Sequence, residues 1–231
     1  MKTVVIHQPD FMPYLGFFHR LLHADLFILL DHVQFVTHGS RSWTHRDKIK
    51  TVNGESWITV NVKKAPGDTP INMIELADND WRQKNLNLLR ENYRNAPYFA
   101  ELFPVVQALY AKPCRQLAEF NVASIRMLME WFAIDIPIVY SSEMQPKGKK
   151  NDLLVDLLEK SGANCYLSGV GAQGYYQPEP FSAAGIEVKW QDFKHPAYPQ
   201  QFGEFIPYLS AIDLLFNCGV EQSRQILRNI Q

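Results

Sequence analysis

The chain has 231 residues, 46% of them hydrophobic, which is enough to bury a sizeable core, and we expect a single α/β domain over residues 1–231. Its 23 basic and 24 acidic side chains give a formal net charge of −1, without the positive excess that nucleic-acid binding usually requires. No apolar run approaches the roughly 20 residues that cross a bilayer, and no signal peptide begins the chain. We therefore expect a cytoplasmic protein with no membrane insertion.

The N-terminal segment predicts a βαβ unit. Residues 3–6 form a β-branched run that is typical of a strand covered on both faces, and the polar sequence His7-Gln8-Pro9-Asp10 ends it. Apolar residues recur at helical spacing over residues 13–23, and a second apolar run over residues 26–30 is closed by Asp31.

The next segment predicts a long loop and then a hairpin. Residues 32–53 are polar and rich in cations, so we expect a loop there. Alternation over residues 56–62 predicts a strand, and residues 72–76 offer another beyond a Pro-Gly-Asp turn. We expect these two strands to pair with each other.

The rest of the chain predicts a helical insertion at about residues 78–134 and then a return to alternating strands and helices. The final helix starts at a capping box, Ser210-x-x-Asp213, and should end near Gly219. The pattern as a whole predicts a mostly parallel, doubly wound, Rossmann-like sheet with this helical insertion. The remaining strands are expected at residues 138–140, 165–168 and 186–190.

Polar residues follow several predicted strands, where ligands bind in open α/β sheets because the loops converge there. Among them we predict that His7 is the general acid or base and that Asp31 orients it or competes with it. An alternative is that His7 only bonds to backbone carbonyls. A metal site at His7, Asp31 and His32 is chemically conceivable, but no established ligand spacing supports it, so we predict none.

Residues 41–50 carry arginines and lysines that can clamp a phosphate or carboxylate, with Trp43 as a stacking face, although a solvated surface loop is the alternative. Residues 168–176 form a glycine-bearing loop that can approach a phosphate, yet they match no known nucleotide motif, so the cofactor stays unknown. The predicted binding residues for a small anionic substrate are Gln8, Tyr14, His32, Gln34, Arg41, Trp43, His45, Arg46, Lys50, Ser168, Gly169 and Tyr176.

Three ordered motifs carry a family resemblance. They are the run from His7 through Gly16, the Leu-Asp-x-Val-Gln-Phe sequence ending at Phe35, and the Ser-Ala-Ile-Asp sequence at residues 210–213. The chain resembles the WbqC-like family in these motifs and over nearly all of its length. This chain departs from the family pattern at Leu30-Asp31-His32, where a second aspartate is common, which questions a mechanism that uses two neighbouring carboxylates.

The resemblance implies an intracellular enzyme of O-antigen or other surface-polysaccharide biosynthesis. We predict a transferase that acts on a nucleotide-activated sugar, an amino sugar, or an acyl or aminoacyl substrate. A non-catalytic nucleotide-sugar-binding scaffold and a metal-dependent hydrolase are the alternatives. The sequence leaves the substrate, the donor and the oligomeric state open.

Overall fold

The strands follow the predicted βαβ rhythm, in a computed structural model that describes residues 1–36 and 42–230. The apolar runs at residues 3–6, 26–30, 138–140, 165–168 and 186–190 form strands, because β-branched and aromatic residues favour the extended backbone. The strands are β1 (Thr3–His7), β2 (Leu26–Leu29), β3 (Arg46–Thr51), β4 (Gly54–Thr59), β5 (Ile138–Tyr140), β6 (Cys165–Ser168) and β7 (Glu187–Trp190).

The helices occupy the segments with helical apolar spacing, and three of them form the predicted insertion between β4 and β5. No helix in the described ranges combines the length and the apolar composition that a membrane span needs. The helices are α1 (Leu15–Leu22), α2 (Trp81–Tyr93), α3 (Phe99–Ala111), α4 (Leu117–Phe132), α5 (Asn151–Ser161), α6 (Pro178–Ala183) and α7 (Ala211–Arg228).

Five strands form one parallel sheet in the order β5-β2-β1-β6-β7. This arrangement confirms the predicted α/β sheet. The strand order runs outward from β1 in one direction through β2 and β5, and in the other through β6 and β7. It therefore reverses between β1 and β6, and ligands of doubly wound sheets bind at such a switch point.

Alternate residues of the central strands face two different layers, as the two-residue period of a strand requires. Val4 and Ile6 pack with α5 and α6 on one face of the sheet. Val5, Phe27 and Leu29 pack on the other face, in the larger core that contains α1, α4 and α7. Both faces are covered, which accounts for the uninterrupted apolar runs of β1 and β2.

The predicted hairpin is wrong in its pairing. Strand β4 pairs antiparallel with β3, from the pair Arg46 and Thr59 to the pair Thr51 and Gly54, so the hairpin begins inside the predicted loop. Gly54 has a φ of 97°, which suits the tight turn that joins the two strands. The segment expected to pair with β4 makes isolated bridges instead, between Leu76 and Val62 and between Glu75 and Gln116.

The last helix continues beyond its predicted end. Gly219 has a φ of 74° and a ψ of 173°, which kinks α7 without ending it. A Cβ atom at this position would lie 2.6 Å from the ring of Tyr98, so glycine is also needed for close packing. The second half of α7 persists because Leu227 is fully buried in the core.

Candidate functional site

The switch point between β1 and β6 brings two of the predicted polar ends together. Thr3 pairs with Cys165 and Val4 with Tyr166, so His7 at the end of β1 and Ser168 at the end of β6 lie at the same edge of the sheet. The Ser168 side chain is buried at this edge, where its hydroxyl interacts with the side chain of Tyr166.

His7 sits close to an aspartate that the sequence did not single out. Its Nδ1 lies 3.1 Å from the carbonyl oxygen of Gln8 and 3.5 Å from Oδ2 of Asp10, and its ring meets Phe17 edge-on. A hydrogen on Nδ1 satisfies the Gln8 carbonyl and leaves Nε2 as an acceptor. The His7 side chain is 30% exposed, so a ligand can reach it.

The environment shifts the pKa values of this pair in opposite directions. Burial, with the positive charge of Arg20 as a second cause, lowers the pKa of His7 to about 3, so the imidazole is neutral near pH 7. Burial raises the pKa of Asp10 to about 7, although Arg20 opposes the rise. A group that titrates near neutral pH exchanges protons most efficiently there, so Asp10 is better suited than His7 to acid or base chemistry.

Arg20 is the main residue that sequence reasoning missed. It lies on α1 and is only 5% exposed, and its Nε has no hydrogen-bond partner among the described residues. The guanidinium reaches the end of β6, because a Cβ atom at Gly169 would lie 3.1 Å from its Nη1. The available sequence signal was a charged residue inside an apolar helical stripe between Phe17 and Leu21.

Two further acidic or phenolic groups lie near this site. Tyr14 precedes α1 and its ring lies over Gly16, where a Cβ atom would approach to 2.4 Å. Burial raises the pKa of the Tyr14 hydroxyl, which also feels the charges of Arg20 and Asp10. Asp47 on β3 is buried, which raises the pKa of its carboxyl well above the usual range, and Asp10 contributes to that rise.

The cationic segment lies against the loop that follows β1. The backbone N–H of Phe11 donates to the Trp43 carbonyl at 3.0 Å, and the Thr44 hydroxyl donates to Oε1 of Gln8 at 3.3 Å. The buried amide of Asn121 donates to the carbonyls of both Pro9 and Thr44. The structure therefore joins residues 42–44 to the switch-point loop.

The cations of this segment border an exposed aromatic surface. The Cζ atom of Arg46 lies 4.2 Å from the ring centroid of Trp57, and the Trp43 ring is 5.5 Å from the same ring. Arg46 also donates through Nε to Ser42 at 2.9 Å, and Trp57 is 41% exposed. Arg41, which we predicted to bind anionic oxygen atoms, lies outside the described residues.

Asp31 belongs to a different cluster, at the ends of β2 and β5. Its carboxylate accepts hydrogen bonds from both Oγ and N of Ser142, from the Ser141 hydroxyl and from the Asn72 amide, at 2.7 to 3.3 Å. The Nδ1 of His32 lies 2.6 Å from the Ser141 hydroxyl. Among the described residues, Asp31 forms no hydrogen bond or ion pair with His7. The carboxylate oxygen atoms of Asp31 already accept hydrogen bonds from the protein, as expected of a group that holds two strand ends together.

Lys50 points into the protein rather than toward the sheet edge. It is 1% exposed, and its ammonium donates to Oε1 of Gln200 at 3.2 Å and to the carbonyl of Glu204. Gln200 in turn donates to Asp213 at 2.9 Å, and Asp213 also accepts from the Tyr93 hydroxyl. A buried cation with these internal partners is not available to a ligand.

Three other predicted binding residues make local packing or loop contacts. Gln34 donates to the carbonyl of Gly67, and the ring of His45 packs on Phe35. Tyr176 packs against Phe181 and Trp190 in the smaller core. The structure does not bring these three side chains into contact with His7 or Arg20.

The described residues do not form a metal site, and the cavity beside α7 lies away from the switch point. Over residues 1–36 and 42–230, no group of three or more His, Cys, Asp or Glu side chains is arranged to hold a metal ion. A cavity of about 550 Å³ lies between residues 194–197 and the second half of α7, and no switch-point residue lines it.

The chain is similar to known proteins over most of its length. An uncharacterized protein of Mycobacterium tuberculosis (strain H37Rv), Rv1507c, is 30% identical over 224 residues, which is 96% of each chain. No solved structure matches the chain. The model of the WbqC-like protein family matches residues 8–225, a range that contains Asp10, Arg20 and Gly169. The chain therefore belongs to the WbqC-like protein family.

Proposed function

We propose that this protein is a cytoplasmic transferase of surface-polysaccharide, O-antigen-type, or related metabolite biosynthesis. Its substrate would be small and anionic, such as a nucleotide-activated sugar, an amino sugar, or an acyl or aminoacyl donor. Membership of the WbqC-like family supports the assignment to this pathway. The observation that carries the reaction type is the pair of His7 and Asp10 at the switch point, with Nδ1 and Oδ2 3.5 Å apart.

In this proposal Asp10 is the general base. The proton of an acceptor hydroxyl or amine passes to Asp10 while the acceptor atom bonds to the transferred group, and the leaving group departs with the bonding electron pair. A carboxyl whose pKa is raised to about 7 can accept this proton at neutral pH and release it afterwards. His7, neutral because its pKa is lowered, would orient the acceptor through Nε2.

The other predicted residues have proposed roles that depend on where they lie in the fold. Gln8, Tyr14, Ser168 and Gly169 would contact substrate at the switch point. Trp43 and Arg46 would extend the site along the neighbouring surface, and Arg41, which lies outside the described residues, is proposed to bind anionic oxygen atoms. Asp31 and His32 would position the ends of β2 and β5 rather than take part in proton transfer. The contacts of each side chain support these assignments.

The reaction is tested with purified protein and panels of nucleotide sugars, acyl donors and acceptors, using mass spectrometry to detect new products. Once a product is found, Asp10→Asn should lower turnover by about 100-fold or more, the usual contribution of a general base. His7→Ala should also lower it. Asp135→Asn, at an exposed position after α4, is the matched control and should retain full turnover.

Two results would count against the proposal. Full turnover by the Asp10→Asn protein would remove the assigned base. Tight binding of a nucleotide sugar with no conversion across the panel would favour a non-catalytic binding protein instead.

A further inference from the structure

Arg20 carries a buried positive charge that its described neighbours do not neutralise. Its Nε has no hydrogen-bond partner among the described residues, and none of their carboxylates lies within 4.0 Å of the guanidinium as an ion-pair partner. Lys50, which is similarly buried, shows the usual arrangement, because Gln200 and the Glu204 carbonyl accept its hydrogen bonds. Burying an unpaired charge is costly, so a residue like Arg20 needs a partner that the protein does not supply.

The position of the guanidinium indicates where that partner would bind. A Cβ atom at Gly169 would lie 3.1 Å from Nη1 and 3.5 Å from Cζ of Arg20, so the glycine lets the guanidinium lie directly against the end of β6. The loop after β1 faces it from the other strand, through His7, Asp10 and Tyr14, all of which feel its charge. Arg20 therefore lies across the switch point between the two halves of the sheet.

The acidic groups near Arg20 do not replace an external anion. Oδ2 of Asp10 lies 3.5 Å from Nδ1 of His7, and burial raises the pKa of this carboxyl to about 7, which reduces its negative charge near neutral pH. Asp47 accepts from the backbone N–H of Lys48 and its pKa is also raised. A doubly charged phosphate group would neutralise the cation more completely than either carboxyl.

We propose that Arg20 binds a phosphate group of the substrate at the switch point, beside Gly169, and that the donor is therefore a phosphoanhydride such as a nucleoside diphosphate conjugate. This inference rests on the proposed function for placing the donor at the switch point. The planar guanidinium with its several N–H donors suits the oxygen atoms of a phosphate. Acyl donors are then substrates only if they are activated by a phosphate or nucleotide.

The first test measures binding of inorganic pyrophosphate and of uridine diphosphate by titration calorimetry at pH 7.5. Arg20→Met should weaken both by at least about tenfold, because the charge and the hydrogen-bond donors are lost. Arg126→Met, at an exposed position of α4, is the matched control and should bind as the wild type does. Uridine diphosphate binding more tightly than pyrophosphate would identify a nucleotide as the source of the phosphate, and equal binding would identify the phosphate group alone.

A second readout separates a ligand-binding arginine from a structural one. Without ligand, Arg20→Met should raise the melting temperature, because an uncompensated buried charge is replaced by an apolar chain of similar length. Pyrophosphate should raise the melting temperature of the wild type but not of this variant. Wild-type pyrophosphate affinity in the Arg20→Met protein, or a lower melting temperature without ligand, would overturn the inference.

Two more variants keep the test decisive if Arg20→Met does not fold. Gly169→Ala places a methyl group against the guanidinium and should weaken pyrophosphate binding, and unchanged affinity would contradict the inference. Asp10→Asn should bind pyrophosphate at least as tightly as the wild type while losing turnover. Loss of binding with Arg20 and loss of turnover with Asp10 are thus separate results, so either proposal can fail without the other.

Discussion

Two polar clusters lie at the same edge of the sheet and differ in how completely their groups are paired. The Asp31 cluster joins β2 to β5, and its carboxylate accepts four hydrogen bonds from serine and asparagine groups. The switch-point cluster lies between β1 and β6 and contains the buried Nε of Arg20, which has no hydrogen-bond partner among the described residues. Both clusters follow strands that are buried on two faces.

The difference separates structural groups from candidate ligand-binding groups. A buried polar group that is fully paired stabilises the fold and gains little from a ligand, whereas an unpaired one is costly until a ligand completes it. Sequence position at a strand end is therefore a weaker indicator of function than the pairing of the side chain. The following predictions test that distinction.

The largest effect is expected from Asp31→Ala. The substitution leaves the Ser142 N–H and three other donors without their acceptor in a buried site, so the free energy of unfolding should fall by about 3–4 kcal/mol. Urea unfolding monitored by circular dichroism measures this change. Asp135→Ala, at an exposed position, should change it little, and pyrophosphate affinity of the folded Asp31→Ala protein should be unchanged. A stable variant that has lost ligand binding would show that Asp31 belongs to the site.

A smaller loss is expected from Lys50→Met, which removes the buried donor to Gln200 and to the Glu204 carbonyl. We expect the free energy of unfolding to fall by roughly 2–3 kcal/mol, because those acceptors and nearby Asp213 lose their cation. Lys64→Met is an exposed control. Unchanged stability together with weaker pyrophosphate binding would instead support the sequence-based prediction that Lys50 holds the substrate.

The smallest effect is expected from Asp10→Asn and depends on pH. The raised pKa of Asp10 means that the folded protein holds more protons than the unfolded chain between pH 3.8 and about 7, so this group's stabilising contribution is lost as pH rises through that window. The lowered pKa of His7 acts oppositely, since its contribution is present above pH 6.5 and is lost as pH falls toward 3. In the wild type the two dependences offset each other over much of this range.

When Asp10 is replaced, only the contribution of His7 to the pH dependence of stability remains. We expect Asp10→Asn to be more stable than the wild type at pH 8 by on the order of 1–2 kcal/mol, and to lose stability on acidification below about pH 6.5. Urea unfolding at pH 4.5 and pH 8 tests this, with Asp135→Asn as the control. A variant that is less stable than the wild type at pH 8 would show that the Asp10 carboxylate stabilises the fold.

The sequence predicted the fold better than the site because strand and helix periodicity are local properties. The apolar runs at β1 and β2 and the helical stripe of α1 were readable directly, since neighbouring residues share one environment. The β3 strand was missed because its sequence, Arg46 to Thr51, is polar except for Ile49 and therefore shows no alternation of apolar and polar residues. Its place in a hairpin depends on Asp47 and Lys50 being buried by other parts of the chain, which no local pattern reveals.

The sequence by itself determined the parallel α/β architecture, the helical insertion and the family, because these follow from periodicity and ordered motifs. Only the tertiary structure decided which polar residues meet. It paired His7 with Asp10 rather than with Asp31, enclosed Lys50 inside the protein and placed Arg20 beside Gly169, 149 positions later in the chain. The physical reason is that pairing and burial of a charged side chain depend on residues that are distant in sequence and adjacent only after folding.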